Sequence, residues 1–426
     1  KTRNATHPQS QNPGKGLGKP EANSSGRKGF QILKTTPLSN RLHIALFGKR
    51  NSGKSSLINA LTNQNAALVS NIAGTTTDPV YQPMEIHGIG PCVFIDTAGF
   101  DDNGELGSLR IERTVQAVDK TDIALMVCCD TELSEEKRWI ELLKEKGIPY
   151  LLILNKADLS ENPKETANEL ERQTGERPLI VSAKEKTGMD SICRSILQKL
   201  PELGGQPDIV GDLVNKGDVV LLVMPQDIQA PKGRLILPQV QTLRELLDKK
   251  CITLSCTTDQ LDSALNVLSA PPALIITDSQ IFRTVYEKKP PQSRLTSFSV
   301  LFARYKGDID YYTEGAYIID QLTENSRVLI AEACTHAPLS EDIGRVKLPR
   351  MLRKRIGEQL HIDIVSGNDF PKDLNCYDLI IHCGACMFNR KHVLNRIAKA
   401  KTQGVPMTNY GVVIAYINGI LEQIDK

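Results

Sequence analysis

The sequence predicts an α/β protein of three units in series, each built around a mostly parallel sheet. Short runs rich in Ile, Val and Leu alternate with amphipathic stretches of helical period from Leu42 to the C-terminus. Such alternation lays helices on both faces of a parallel sheet. Two stretches rich in Pro, Gly and Lys interrupt it, PELGGQPD from Pro201 and KKPPQSR from Lys288, and they read as linkers. At 426 residues, 40% apolar and 24% charged, the chain exceeds one ordinary domain and can bury several cores. The 52 basic residues nearly match the 50 acids, which argues against a generic nucleic-acid binder. No apolar run approaches the roughly 18–20 residues that cross a bilayer.

Residues 1–40 are rich in Pro, Gly, Ser, Asn and Lys, with Glu21 their only acid, and read as a disordered tail. They lack the apolar core of a secretory signal, and arginine is too sparse for a transit peptide. The chain opens on Lys1, so an upstream start is expected. The first folded unit, 41–203, carries the strands LHIALFG, CVFIDTAG, DIALMVCC, YLLILNK and PLIVSA. Helices over 54–62 and 134–146 fall between them. The second, 208–288, runs GDVVLLVMP, a helix over 238–250, CITLS, a helix near 259–268, and ALIIT. Its QVQTLRELLDKK helix can cover a sheet or form an oligomer interface. The third, 292–426, has RVLIAEA, HIDIVSG, YDLIIHC and a strand expected in PMTNYGVVI. No unit repeats another.

The first strand runs into Gly48-Lys49-Arg50-Asn51-Ser52-Gly53-Lys54-Ser55, with Ser56 opening further into a helix. This is GxxxxGKS between a strand and a helix, where glycines let backbone N–H groups wrap phosphates and the helix N-terminus adds positive charge. Lys54 would reach the outer phosphates and Ser55 would ligate magnesium. Four further signals follow in order. Gly74-Thr75-Thr76-Thr77-Asp78 offers a Thr76 hydroxyl to magnesium and the γ-phosphate. Asp96-Thr97-Ala98-Gly99 ends a strand, bringing a carboxylate to the metal and the Gly99 N–H to the γ-phosphate. The Asp158 carboxylate of Asn155-Lys156-Ala157-Asp158 can accept both N1–H and N2–H of guanine, which adenine lacks. Ser182-Ala183-Lys184 would close the base pocket with backbone N–H. Together these predict a P-loop GTPase domain that binds GTP and magnesium.

On these motifs residues 41–200 resemble the GTPase domain of the TrmE–Era group. In that group a phosphate-loop asparagine helps bind potassium, and Asn51 holds that position here. Phe100 stands where Ras-type proteins carry the water-orienting glutamine. The resemblance implies slow, potassium-stimulated hydrolysis using Lys54, Asn51, Thr76 and Gly99, with loops near Thr76 and Gly99 that change between nucleotide states.

The third unit holds Cys334-Thr335-His336 just past one strand and His382-Cys383-Gly384-Ala385-Cys386 just past another. In a doubly wound sheet the carboxyl ends of strands open on one crevice, so the two loops can meet. Three cysteines with a histidine suit structural zinc. Three thiolates also suit a 4Fe–4S cluster with one exchangeable position. Spacing alone favours neither. The other cysteines read as structural, Cys128 and Cys129 as parts of a buried run. Ten cysteines without a secretion signal point to reduced thiols in the cytoplasm.

The fusion of this GTPase unit to CxH…HCxxC resembles the HydF family, which matures FeFe-hydrogenase, over nearly the whole chain after the tail. The resemblance implies a GTPase domain, a dimerisation domain and a cluster domain in which Cys334, Cys383 and Cys386 bind a 4Fe–4S cluster. His336 or His382 is a further candidate ligand. It also implies a homodimer that assembles or carries the two-iron precursor with HydE and HydG and delivers it to the apo-hydrogenase. Arg345, Lys347, Arg350, Arg353, Lys354 and Arg355, then Arg390, Lys391, His392 and Arg396, supply cations that would attract an anionic diiron unit, or simply a solvated helix face. The rival expectation is an RNA- or ribosome-directed, potassium-dependent GTPase with structural zinc. No aromatic interleaving supports RNA binding.

Overall fold

The computed structural model describes residues 38–62, 79–86, 89–99, 105–200 (side chains from 112), 207–225, 235–333, 343–385 and 388–425. The expected tail therefore lies almost wholly outside the described residues. So do Thr75, Thr76, Phe100, Cys334, His336 and Cys386.

The first unit is a six-stranded sheet of β1 (Leu42–Phe47), β2 (Val80–Ile86), β3 (Gly90–Asp96), β4 (Ile123–Cys128), β5 (Tyr150–Leu154) and β6 (Leu179–Ile180), in the order β2-β3-β1-β4-β5-β6. Its central strands are apolar because helices cover both faces: Ile44 to Phe47 and Ile123 to Val127 are fully buried. Every pairing is parallel except β2 with β3, which runs Val80↔Asp96 to Ile86↔Gly90. Sequence reading passes over β2 because Pro83 and the polar Gln82 and Glu85 blunt its pattern, as suits an edge strand.

The second sheet comprises β7 (Val219–Val223), β8 (Ile252–Cys256), β9 (Leu274–Thr277) and β10 (Arg294–Ser297), all parallel, in the order β10-β9-β7-β8. Strand β10 corrects the expected boundary. The KKPPQSR segment is a connection inside the second unit, since Arg294 to Ser297 pair with Leu274 to Thr277. The signal was faint because RLTS is only four residues long. The third sheet, β11 (Arg327–Glu332), β12 (His361–Ser366), β13 (Leu379–His382) and β14 (Met407–Asn409), is also all parallel, in the order β12-β11-β13-β14. Here the strand expected through GVVI stops at Asn409. That side chain accepts the Val412 N–H and caps a helix, Tyr410–Ile417, whose Val412 to Ala415 are buried. Capping and tertiary burial override β-branched propensity at that point.

The second and third units share one apolar core. Leu221, Ile275 and Leu295 belong to the same buried cluster as Leu329, Ile380 and Met407, and the buried Tyr312 is a member too. The chain end is stitched back onto β10, where Asp425 accepts from Leu295 N at 3.0 Å and from Arg294 Nε at 3.0 Å.

Candidate functional site

At the carboxyl end of β1 the phosphate loop turns into the helix Lys54–Thr62. Gly48 has φ +153°, and a Cβ there would sit 2.2 Å from Val127 O. Gly53 has φ +90°, and its Cβ would meet Asn155 Nδ2 at 2.3 Å. Both positions demand glycine on two counts. The Lys54 ammonium donates to the carbonyls of Gly48 and Lys49, 2.8 Å each, which holds it over the loop mouth. Ser55 Oγ lies 2.5 Å from Asp96 Oδ2 at the end of β3. Burial raises the Asp96 carboxyl above its usual range, opposed by the Ser55 hydroxyl and the Lys54 charge. Two hard oxygens side by side, one a carboxylate strained by burial, fit magnesium. Asn51 is exposed in the left-handed region at φ 60°, and Gly99 follows Asp96 by three residues.

The base loops are bound together by one side chain. Asn155, 2% exposed, donates Nδ2–H to Ser52 O at 2.9 Å and accepts Ala183 N–H on Oδ1 at 3.1 Å. It thereby ties the phosphate loop to the Ser182-Ala183-Lys184 loop. Lys156 adopts φ 61°, turning the chain so that Asp158 receives the Ser182 hydroxyl at 2.5 Å. That hydrogen bond, before any nearby cation, holds the Asp158 carboxyl below its usual range. Lys184 Nζ stands 3.9 Å away. A carboxylate fixed in this way can take two parallel N–H donors from guanine.

The second loop begins where β11 and β13 run side by side, with Ala331 opposite His382. Cys383 N donates to Ala331 O, and Cys383 Sγ accepts N–H from Ala333 at 3.0 Å and from Ala385 at 3.4 Å. Ala333 immediately precedes Cys334 in sequence. Two backbone donors on one sulfur suit a thiolate ligand, so the described part of the set fits a soft metal centre. Ala385 takes φ 50°, a left-handed position that costs about 1–2 kcal/mol outside glycine. Its carbonyl is held at 2.9 Å by Lys306, which also binds Phe388 O at 2.9 Å and is 2% exposed.

His382 is fully buried, and both of its ring nitrogens are engaged. Nδ1 is 2.8 Å from Cys383 O, and Nε2 is 3.0 Å from Arg396 Nη1. Arginine only donates, so Nε2 accepts and Nδ1 carries the proton. Burial, then Arg396, drives its pKa down to about 3. Of the two histidines named as candidate ligands, this one is occupied in the second layer around the loop. The basic run divides likewise. Arg345 pairs with Glu332 at 3.0 Å and Arg355 with Asp320 at 2.6 Å, and Arg390 donates to Tyr305 O. Arg396 alone of these turns inward to His382. Cys128 is buried, with its thiol pushed up to about 12 by burial. Cys129 corrects the expectation, being exposed beside Asp130. Sequence reasoning groups Arg396 with surface cations and passes over Lys306 and Asn155 as a staple, since each acts through partners remote in the chain.

The helix Arg390–Thr402, which follows the second cysteine loop in sequence, leans on the first unit. Asn389 Nδ2 donates to Lys120 O at 2.7 Å, Asn395 Nδ2 to Asp119 O at 2.8 Å, and Lys391 Nζ to Lys146 O at 3.1 Å.

A glycine cradle, a Ser–Asp pair and a carboxylate-ended base loop on this sheet define a P-loop protein of the guanine-nucleotide class. Comparison with known proteins agrees: residues 43–156 match the family of 50S ribosome-binding GTPases. The chain is 35% identical over 188 residues to the tRNA modification GTPase MnmE of Lactobacillus helveticus, and 36% identical over 177 residues to that of Aquifex aeolicus. These alignments take in 42% and 40% of this chain but only 39% and 38% of those proteins. Among solved structures, Era of Aquifex aeolicus bound to GDP.AlF4- aligns with 53% of this chain and 98% of its own, at 18% identity and TM-score 0.35. Beyond the GTPase unit, residues 209–307 match the hydrogen maturase F dimerization domain and 310–425 its tetramerization domain, together just over half of the chain. The chain belongs to the hydrogen maturase F (HydF) family.

Proposed function

We propose that this chain is a GTP-hydrolysing scaffold that holds a 4Fe–4S cluster on Cys334, Cys383 and Cys386 and carries the two-iron precursor of the FeFe-hydrogenase active site. The observation that carries the reading is the Cys383 sulfur taking an N–H from Ala333, the residue beside Cys334, in a chain that also holds the guanine-nucleotide constellation. Two cysteine loops that begin within one hydrogen bond of each other can serve one metal centre.

In this reading Lys54 neutralises the outer phosphates, and the N–H groups of Gly48 to Ser55 and of Gly99 line the phosphate path. Ser55, Asp96 and Thr76 hold magnesium, which supplies charge where the transferred phosphoryl group develops it. Asp158 selects guanine, with Lys156, Ser182, Ala183 and Lys184 around the base, and Thr75 and Ser56 complete the phosphate shell. Asn51 holds potassium, a use its exposed position in the loop allows. GTP turnover is regulatory, altering contacts with HydE, HydG or the apo-hydrogenase. The chain assembles through its second unit, where β8 ends the sheet with no further strand paired to its edge among the described residues and Ile252 is 61% exposed.

Anaerobic reconstitution tests the cluster reading: about four irons with matching sulfide support it, and a single zinc without sulfide refutes it. GTP hydrolysis equal in potassium and sodium chloride would remove the role given to Asn51. Equal affinity of the GDP and GTP forms for every maturation partner would remove the regulatory one.

A further inference from the structure

Arg396 is an unusual residue to find inside this fold. It is 5% exposed, and its guanidinium lies between two aromatic faces, 4.7 Å from the Phe370 centroid and 4.6 Å from that of Phe388. Its hydrogen bonds go to neutral acceptors, His382 Nε2 and Gly367 O. Among the described residues no carboxylate is in ion-pair reach of it. A buried cation without an anion costs several kcal/mol, and evolution usually pairs such a group or removes it. Cation–π contacts return only part of that cost. His382, which Arg396 binds, is the residue before Cys383, and the charge that most favours the guanidinium against burial is the Cys383 sulfur, ahead of Tyr312 and Asp119. The residue therefore has an environment that is incomplete until the cysteine loop carries negative charge.

We propose that Arg396 is the built-in counter-cation of the cysteine loop, a positioning residue that balances the charge of thiolates and cluster from behind His382. The proposal rests on the cluster reading above and adds to it a residue outside the CxH…HCxxC pattern. Lys306 supports the same arrangement by a different route, clamping the Ala385 and Phe388 carbonyls so that the strained loop keeps its shape. Arg396 fixes charge and the His382 tautomer, and Lys306 fixes the backbone.

The test uses the full chain as wild type, Arg396→Gln, Arg396→Met and Arg396→Lys, each reconstituted anaerobically with iron and sulfide. Methionine keeps an apolar stem between the two rings, so at least one neutral variant is expected to fold. In the neutral variants the equilibrium for one-electron reduction of the cluster should fall about tenfold, a shift of about 59 mV to lower potential. Arg396→Lys should keep most of the wild-type value. Metal-free Arg396→Met should melt no lower than metal-free wild type, because an unpaired charge has been removed, whereas the loaded variant should lose its cluster several-fold faster. An unchanged potential in a folded neutral variant overturns the proposal, as does metal-free destabilisation without any change in cluster retention. Wild-type protein that takes up no sulfide fails differently, since it removes the cluster reading itself.

Discussion

Replacing Asn155 with alanine tests whether one side chain assembles the nucleotide site. The amide closes two gaps at once, to Ser52 O at 2.9 Å and from Ala183 N at 3.1 Å, in a position 2% exposed. Truncation leaves a buried carbonyl and a buried N–H without partners, at about 1–3 kcal/mol each. Because both loops carry exposed residues, Asn51 and Lys184, water can reach the freed groups and the lower half of that range applies, giving about 2–4 kcal/mol for the pair. Nucleotide demands both loops in place, so the cost returns on binding. At 1.4 kcal/mol per tenfold, about 3 kcal/mol weakens GDP and GTP alike by roughly 100-fold. Titration with a fluorescent guanine nucleotide measures the loss. Amide exchange at Ala183 should accelerate in the same variant, since its acceptor is gone. Affinity within threefold of wild type, with Ala183 still protected, would refute the staple and leave Asn155 as a space-filler.

Other outcomes follow from the same geometry. Asp158→Asn exchanges an acceptor for a donor, so GTP should bind at least 100-fold more weakly while xanthosine triphosphate, with an oxygen in place of the guanine amine, binds better; competition titration reads the ratio. Burial holds His43 down at about 4 and His392 down at about 2, the latter helped by Arg396 and Lys120. Both folded values lie below the unfolded 6.5, so the stability of these neutral rings is complete above pH 6.5 and drains as pH falls, by about 2 kcal/mol for His392 at pH 5. Among the described residues neither His392 nitrogen has a partner, so His392→Leu should leave the urea midpoint at pH 7.5 equal or higher and flatten its decline toward pH 5. A decline as steep as wild type would put the acid sensitivity elsewhere. Ile252→Lys places a charge on β8, the last strand described in its sheet, and light scattering should show the smaller species growing; an unchanged mass moves the interface off that strand.

Much of the first unit was readable because its chemistry is local. Glycines, Lys54, Ser55, Asp96 and Asp158 sit at the ends of strands whose apolar runs announce them, and the helix Lys54–Thr62 has the bounds its pattern predicts. Strand β2 escaped because an edge strand half in solvent carries polar residues and a proline without penalty. Strand β10 escaped because four residues are too few for a periodicity. In the cysteine loop, the residues in contact by sequence were legible and those in contact by fold were not. Arg396 reads only as one more cation of a basic run and Lys306 carries no signal at all. Only the fold makes both internal, Lys306 at the end of the helix Phe298–Lys306 and Arg396 along the length of Arg390–Thr402.

The three units are not joined alike, and the difference bears on how nucleotide state could reach the cysteine loop. Between the second and third lies a common apolar core, with Leu221 and Ile275 buried alongside Leu329 and Ile380. Parting them would expose apolar surface at about 25 cal/mol per Å². The first unit is held differently, by Asn389 on Lys120 O, Asn395 on Asp119 O and Lys391 on Lys146 O. Such side-chain-to-carbonyl bonds contribute about 1 kcal/mol each, and water can replace them. Polar joints are the ones that proteins re-form during domain motion. Asp119 and Lys120 directly follow the helix Glu105–Val118, the first helix after the Asp96–Gly99 segment among the described residues. Asn395, which grips Asp119, is the neighbour in sequence of Arg396, which holds His382. A displacement of the Glu105–Val118 helix end by an ångström would therefore be felt at the guanidinium through a single residue of rigid helix, while the shared core stayed closed.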